Sequence, residues 1–413
     1  MPPAVGPAVP PPVSQTAPTV ITLDEAIRLA LQHNHALQAA RSMILQNQAQ
    51  EVTANLRPNP TLGWDTQFLP IFQPSQFNAN YFENDAQFDI GVGYLFERGK
   101  KRQHRLQAAR DQTAVTRATV ADNERTLTFN VSQQFVNVLL AQSTLDLAQQ
   151  DYDSFKKTVE ISENRFKAGD MSEGDLLKIK LQLLQFQSDV LNANLSKVQA
   201  LAALRQLLGF ESVGDHFDVQ GELDYQPIRA GLDDLKALAL RTRPDLQAAH
   251  LGVTAAESQE SLAEANGKRD LNVTFDYTHV AGVNTGTFFF NIDLPIFDRN
   301  QGEIARTRYA ISQSQEQQSE AAEQVMSDVV NAYEGLKAND QIIQLYRSGY
   351  LDQAQKSRDI TEYAYKRGAA SLLDFLDSER TYRANQLAYR QALAAYMTAL
   401  EQTREAVGTR TLP

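Results

Sequence analysis

The 413 residues include no cysteine and a single tryptophan. The first absence excludes disulfide frameworks, thiolate metal sites, thiol catalysis and attachment of a lipid to a cysteine of this sequence. Apolar runs approaching 18 residues are missing too, and mean hydropathy is −0.40, so no helix of the chain is expected to span a bilayer. One route into a membrane stays open, because a transmembrane β-barrel needs only alternating segments of about ten residues, which an average does not register. Basic residues are in deficit, 39 Lys and Arg against 50 Asp and Glu, for a net charge of −11. That disfavours a nucleic-acid partner and suits a solvated surface or a cation-attracting interior. The opening MPPAVGPAVPPPVSQTAPT has neither a basic start nor an apolar run, so a signal peptide is not visible. The expectation is a numbering that begins after a removed leader, with Met1 added, or a cytosolic chain.

Proline is concentrated at the start, with seven in the first eighteen residues, and residues 1–21 are expected to form an extended arm packed along something else. Thr22-Leu23-Asp24-Glu25 is a capping box, and helical spacing then runs to about Leu56, before Pro58 and Pro60. Residues 23–40, LDEAIRLALQHNHALQAA, reappear as LDDLKALALRTRPDLQAA at 232–249, and ENRFKAGDMSEGDLL at 163–177 reappears as EYAYKRGAASLLDFL at 362–376. The chain therefore reads as two tandem copies of one unit, 22–209 and 232–408, joined by a linker at 210–231 and followed by a tail at 409–413.

Each copy holds two segments of strict alternation inside otherwise helical sequence, about 61–69 and 86–96 in the first and about 271–280 and 287–296 in the second. In the second of these, Phe88, Ile90, Val92, Tyr94 and Phe96 alternate with Gln87, Asp89, Gly91 and Gly93. Such strands have one apolar and one polar face. Two arrangements accommodate them: a small antiparallel sheet covered by helices, or a wall completed by several chains, since four strands cannot close a barrel alone. From Lys101 to Phe166 there is neither proline nor glycine, and Gly302 to Arg367 contains no proline. Helices of that length point to coiled coil rather than a globular core. Leu177, Leu184, Leu191 and Val198 recur every seven residues, as do Phe375, Tyr382, Tyr389 and Tyr396; both stripes are expected to be seams between helices.

Tandem copies of helix, strand, strand, long helix and short helix resemble the TolC-like outer-membrane efflux family. The resemblance runs from Thr22 to Gly408 and is carried most specifically by RFKAGDMSEGDLL, AYKRGAASLLDFLD and LPIFDRNQGEIA. It implies an α+β membrane protein in which a homotrimer, four strands per chain, builds a twelve-stranded antiparallel β-barrel in outer-membrane lipid, continued by a long α-helical coiled-coil barrel in the periplasm. It implies partners as well, a periplasmic adaptor protein and an inner-membrane pump, and neither a cofactor nor a catalytic residue. Phe166, Lys167, Gly169, Ser172, Lys366, Gly368 and Ser371 would form the hairpin tips that meet the adaptor, although glycine and serine there also suit helix ends. Asp374 and Asp377 match the motif that places two carboxylate rings in the pore constriction. Asp175 and Tyr365 match a pair whose hydrogen bond holds the closed state. The family's arginine two residues after the tip glycine is Ala370 here, so either the closed state is looser or Arg367, Lys366 or Lys178 substitutes.

The basic cluster Arg98, Lys100, Lys101, Arg102 and Arg105 is either a solvated turn or, on the barrel reading, a contact with lipid phosphates; this stretch is similar to heavy-metal efflux members. His33 and His35, two apart, point to different sides of a helix and make no metal site. Gly91-Val92-Gly93 lacks the third glycine of a dinucleotide fingerprint. The expected function is a passive export conduit gated at its periplasmic tip. Two alternatives stand beside it, the outer-membrane conduit of a type I protein secretion system and a soluble elongated coiled-coil scaffold.

Overall fold

The computed structural model describes residues 20–412; the proline-rich arm expected over 1–21 lies outside the described residues except for Val20 and Ile21. In chain order the elements are β1 (Val20–Ile21), α1 (Leu23–His33), α2 (His35–Ala54), β2 (Thr61–Gln67), β3 (Gln87–Phe96), α3 (Lys101–Lys167), α4 (Glu173–Leu208), β4 (Asp218–Val219), α5 (Leu232–Thr242), α6 (Pro244–Asn266), β5 (Leu271–Val280), β6 (Val283–Asn291), α7 (Gln301–Leu345), α8 (Leu351–Lys366) and α9 (Leu372–Val407). The order from α1 to α4 thus recurs from α5 to α9. Contacts divide the chain into two compact units, one of Met1–Ala39, Asp122–Arg243 and Val325–Pro413, the other of Ala40–Ala121 and Pro244–Gln324.

In the first unit the core is built from helix faces. Ala26, Ile27 and Leu29 of α1 pack with Val131, Phe135, Val138 and Leu139 of α3, Leu204 and Leu208 of α4, and Val213 and Phe217 beyond it. The residues between the two copies are held here, since β4 pairs in parallel with β1. Tyr396 of α9 donates to the Gln226 carbonyl at 2.6 Å, and burial, with Tyr225 and Asp340 nearby, pushes its phenol up to about 12.

The helix expected over 23–56 is broken at Asn34, which leaves the α region at ψ 116°, and Arg243 does the same between α5 and α6 at ψ 118°. Each break rests on the glycine that ends a short helix. A Cβ on Gly209 would sit 2.8 Å from the His33 carbonyl, and one on Gly408 would sit 3.2 Å from that of Thr242. The side chains at the breaks then satisfy free carbonyls: Asn34 donates to Leu207 at 3.0 Å and Arg243 to Ala406 at 3.1 Å. The second long helix is interrupted as well. Gly349, at φ 114°, sits in a π-turn over Tyr346–Tyr350 between α7 and α8, whereas α3 runs unbroken for 67 residues.

The second unit holds a four-stranded antiparallel sheet of order β2-β3-β5-β6. Its register brings side chains of one kind into rows. Leu62, Val92, Phe275 and Phe288 lie side by side on one face, as do Trp64, Ile90 and Tyr277. The opposite face carries Asp65, Asp89, Thr278 and Thr285 in one row and Gly63, Gly91, Asp276 and Thr287 in the next. The absence of a side chain at Gly91 leaves room for the Asp276 carboxylate, which occupies the place a Cβ would take. The last strand begins earlier than its alternation suggests, at Val283 rather than about 287, and ends at Asn291 rather than about 296. The reason is a two-residue hairpin in which Ala281 and Gly282 both take positive φ, 50° and 75°, the twist that tight antiparallel turns require. Asn284 and Gly286, which resemble turn residues, are therefore inside the strand.

Candidate functional site: hairpin tips and an open sheet

The two hairpins of the first unit are built alike. At the end of α3 the Gly169 N–H donates to the Phe166 carbonyl and that of Asp170 to Arg165, at 3.0 and 2.9 Å. At the end of α8 Gly368 donates to Tyr365 and Ala369 to Ala364, at 3.0 and 2.8 Å. Both are Schellman closures around a left-handed glycine, with φ 84° and 76°. Ser172 and Ser371 then cap the following helices, accepting from the Asp175 and Asp374 amides at 3.1 and 3.2 Å. Beneath the tips lies an aromatic stack, Phe155 on Phe186 at 4.6 Å and Tyr365 on Phe375 at 5.0 Å. Phe166, Lys167 and Lys366 are exposed, with Lys366 paired to Glu362 at 2.6 Å.

Asp374 and Asp377 lie exposed on one side of the first turns of α9, and each already has an intramolecular partner. The Asp374 carboxylate accepts from the Ser371 hydroxyl at 2.7 Å, closing a capping box. Asp377 pairs with Arg380 at 2.7 Å. A cavity of about 230 Å³ beside Asp377, Glu379, Arg380 and Arg383 opens next to them.

Asp175 and Tyr365 line the same cavity, of about 540 Å³, without joining. Asp175 pairs with Lys178 at 3.4 Å, while the Tyr365 hydroxyl is buried with no hydrogen-bond partner. Among the substitutes considered for the missing arginine, Lys178 alone reaches Asp175; Lys366 is held by Glu362 and Arg367 stacks on Tyr363 at 4.5 Å. Sequence reasoning missed Arg165, whose guanidinium lies 5.4 Å from the Tyr365 ring centre and donates to its carbonyl at 3.2 Å.

It also missed a partly buried ion network in the same unit. Arg383 bridges Asp151 of α3 at 2.9 Å and Asp189 of α4 at 2.7 Å, with Phe186 4.0 Å beneath its guanidinium. Glu379, 8% exposed, sits close by. Burial pushes its carboxyl above the usual range; Arg358 opposes this, and Asp151 and Glu362 reinforce it. The available signal was charged residues falling at the helical spacing of a buried stripe.

In the second unit the basic cluster is partly committed. Lys101 pairs with Asp270 at 2.7 Å, Arg105 with Glu97, and Arg102 donates to the Asn55 carbonyl at 3.5 Å. Only Arg98 and Lys100 remain exposed and free to reach a phosphate. The apolar face of the sheet is uncovered, Leu62 being 76% and Trp64 74% exposed.

Residues 26–210 and 235–409 each match the family described as outer membrane efflux protein. The chain is 27% identical over 401 residues to the cobalt-zinc-cadmium resistance protein CzcC of Cupriavidus metallidurans, covering 94% of this chain and 88% of that protein. It is 24% identical over 408 residues to the pyoverdine export outer membrane protein OpmQ of Pseudomonas aeruginosa, covering 94% and 85%. Among solved structures, the CusC channel superposes with a TM-score of 0.77 at 20% identity over 99% of both chains. The open-state outer membrane channel MtrE of Neisseria gonorrhoeae superposes at 0.77 and 19%, over 96% of this chain and 93% of that one. Two matched halves, a mostly helical fold shared with such channels over nearly its whole length, and an uncovered four-stranded sheet lead to one assignment: the chain belongs to the outer membrane efflux protein family.

Proposed function

We propose that this protein is the outer-membrane channel of a tripartite efflux system, a passive conduit that receives cargo from a periplasmic adaptor and an inner-membrane pump and releases it outside. The observation that carries the reading is the sheet. Its apolar rows face outward with nothing over them, and both edges, β2 and β6, are unpaired. Backbone groups at an open edge cannot be left in lipid, so β2 of one copy must pair with β6 of another. Three copies of four strands make a twelve-stranded barrel with its carboxylate rows inside. The exposed stripe Leu177, Leu184, Leu191 and Val198 on α4 is then covered by the neighbouring copy, completing a helical barrel in the periplasm. The two matched stretches are two copies of one structural unit.

In this assembly the hairpin tips are the adaptor's docking surface and Asp374 and Asp377 form two threefold rings at the constriction. Asp175 and Tyr365 close as a latch when the cavity they share collapses. For cargo we favour metal cations, supported by the relative named for cobalt, zinc and cadmium resistance and by Asp65, Asp89 and Asp276 along the polar face. The test is conductance in planar bilayers. Asp374→Asn with Asp377→Asn, which keeps the helix cap, should weaken cation selectivity and block by multivalent cations, while Arg380→Gln should strengthen both by unmasking Asp377. Unchanged currents in both would refute the ring assignment.

A further inference from the structure

The quartet Leu-Pro-Ile-Phe occurs twice, at 69–72 and 294–297. The two do not occupy equivalent places in the tandem copies, since the counterpart of 294–297 is 94–97, YLFE. Their backbones nevertheless agree. The Ile71 N–H donates to the Leu69 carbonyl at 2.8 Å and that of Ile296 to the Leu294 carbonyl at 2.9 Å, each a three-residue turn about the proline. Their exposure agrees too: Ile71 and Ile296 are both 63% exposed, and Phe72 and Phe297 are 93% and 90%.

Their places in the sheet are complementary. β2 and β6 are its two edges, and each quartet follows one of them. The first follows β2 at the hairpin end, where β5 turns into β6. The second follows β6 at the end where the chain passes into α7. These are also strands that stop short. With 7 and 9 residues, at about 3.3 Å per residue and a tilt of about 45°, they rise only about 16 and 21 Å against an apolar band about 25 Å tall. Each quartet adds large apolar side chains where its edge strand ends. From Thr66 to Phe82 there is no charged residue, which does not suit a loop bathed in water.

We propose that the two Leu-Pro-Ile-Phe segments are membrane anchors, one in the headgroup–acyl boundary of each leaflet, extending the short edge strands to the full thickness of the bilayer. The proposal rests on the reading of the sheet as a barrel wall. Because the chain lacks cysteine, single nitroxide labels at Phe72→Cys, Phe297→Cys and, in the middle row of the wall, Leu62→Cys report their surroundings directly in protein reconstituted into phospholipid vesicles. All three labels should collide with oxygen in preference to a water-soluble nickel chelate, with the Leu62 label deepest and the other two shallow. With Leu62 in lipid, nickel collision at 72 or 297 equal to that of a dissolved label, or exclusion of both reagents as beneath a second copy, overturns the anchors and leaves the barrel standing. A Leu62 label in water overturns both. As a second readout, Phe72→Trp in a Trp64→Phe background should be quenched several-fold more by lipid brominated near the ester carbonyl than near the chain terminus; no quenching by either contradicts the anchor.

Discussion

Gly169 and Gly368 have open space where a Cβ would go, so only their left-handed φ of 84° and 76° demands glycine. Alanine at either position should cost about 1 kcal/mol and loosen the last turn of α3 or α8, read as faster amide exchange at residues 164–170 or 363–369. The lost Schellman closure would leave the sheet unchanged. Glu379 supplies a different kind of test, because its carboxylate is buried with no ion pair in hydrogen-bond contact. Its folded pKa is raised, so the folded state holds the proton to higher pH than the unfolded chain does. The resulting penalty is absent below the ordinary carboxylate value, grows as pH rises through the window up to the raised value, and is constant above it. The groups around it on α3, α8 and α9 are Asp151, Arg358, Glu362 and Arg383. Glu379→Gln should therefore raise the melting temperature at pH 7 to 8 by a few degrees and leave it unchanged near pH 4. An equal effect at both would show that burial of this charge does not govern the stability.

At the scale of elements, the two heptad stripes have separated. Phe375 and Tyr396 of α9 are buried within the chain, whereas Leu184 and Leu191 of α4 are more than half exposed. A change to Asp at both leucines should leave the helix content of the protein intact and dissociate the assembly, each buried leucine contributing about 1.5–3 kcal/mol to the contact; size-exclusion chromatography in detergent measures it. Periodicity told both stripes apart from solvent-facing residues, but it could not say which partner covers them, because a neighbouring helix of the same chain and one of another copy have the same chemistry. The strands were legible for a related reason. Alternation with period two holds over Gln87–Tyr94 of β3 and Leu271–Thr278 of β5 and lapses only at the strand ends, at Leu95, His279 and Val280. The start of β6 was not, since Asn284 and Gly286 look like a turn and the real turn is Ala281-Gly282. The break at Arg243 had a local signal in Pro244, which disfavours helix at the residue before it; the break at Asn34 escaped notice because a lone asparagine inside a helical pattern marks a cap only when tertiary contact with Gly209 is known. At the tips, glycine and serine spacing located the closures, while Arg165 and Arg383 were hidden, their partners lying about 200 residues away in sequence.

For the whole molecule, the recurring sequence was the most informative feature. It announced the element order and the place of the hairpins, since helices, a pair of strands and long and short helices follow in the same order in both stretches. The matched pairs Gly169 and Gly368, and Ser172 and Ser371, keep the same geometry, whereas Gly209 and Gly408 share a positive φ but differ in ψ, 125° against 17°. The hairpins differ at two matched positions: Lys178 stands where the second has Asp377, and Phe166 where it has Tyr365, so the second carboxylate and the hydroxyl belong to one hairpin alone. A single chain cannot satisfy the edges of its own sheet, and the account stands on other copies doing so. The direct measurement is the mass of the particle purified in detergent. The account predicts three times the 46.0 kDa of one chain, held together in detergent and precipitating when it is removed. A dispersed 46.0 kDa particle in plain buffer would contradict it.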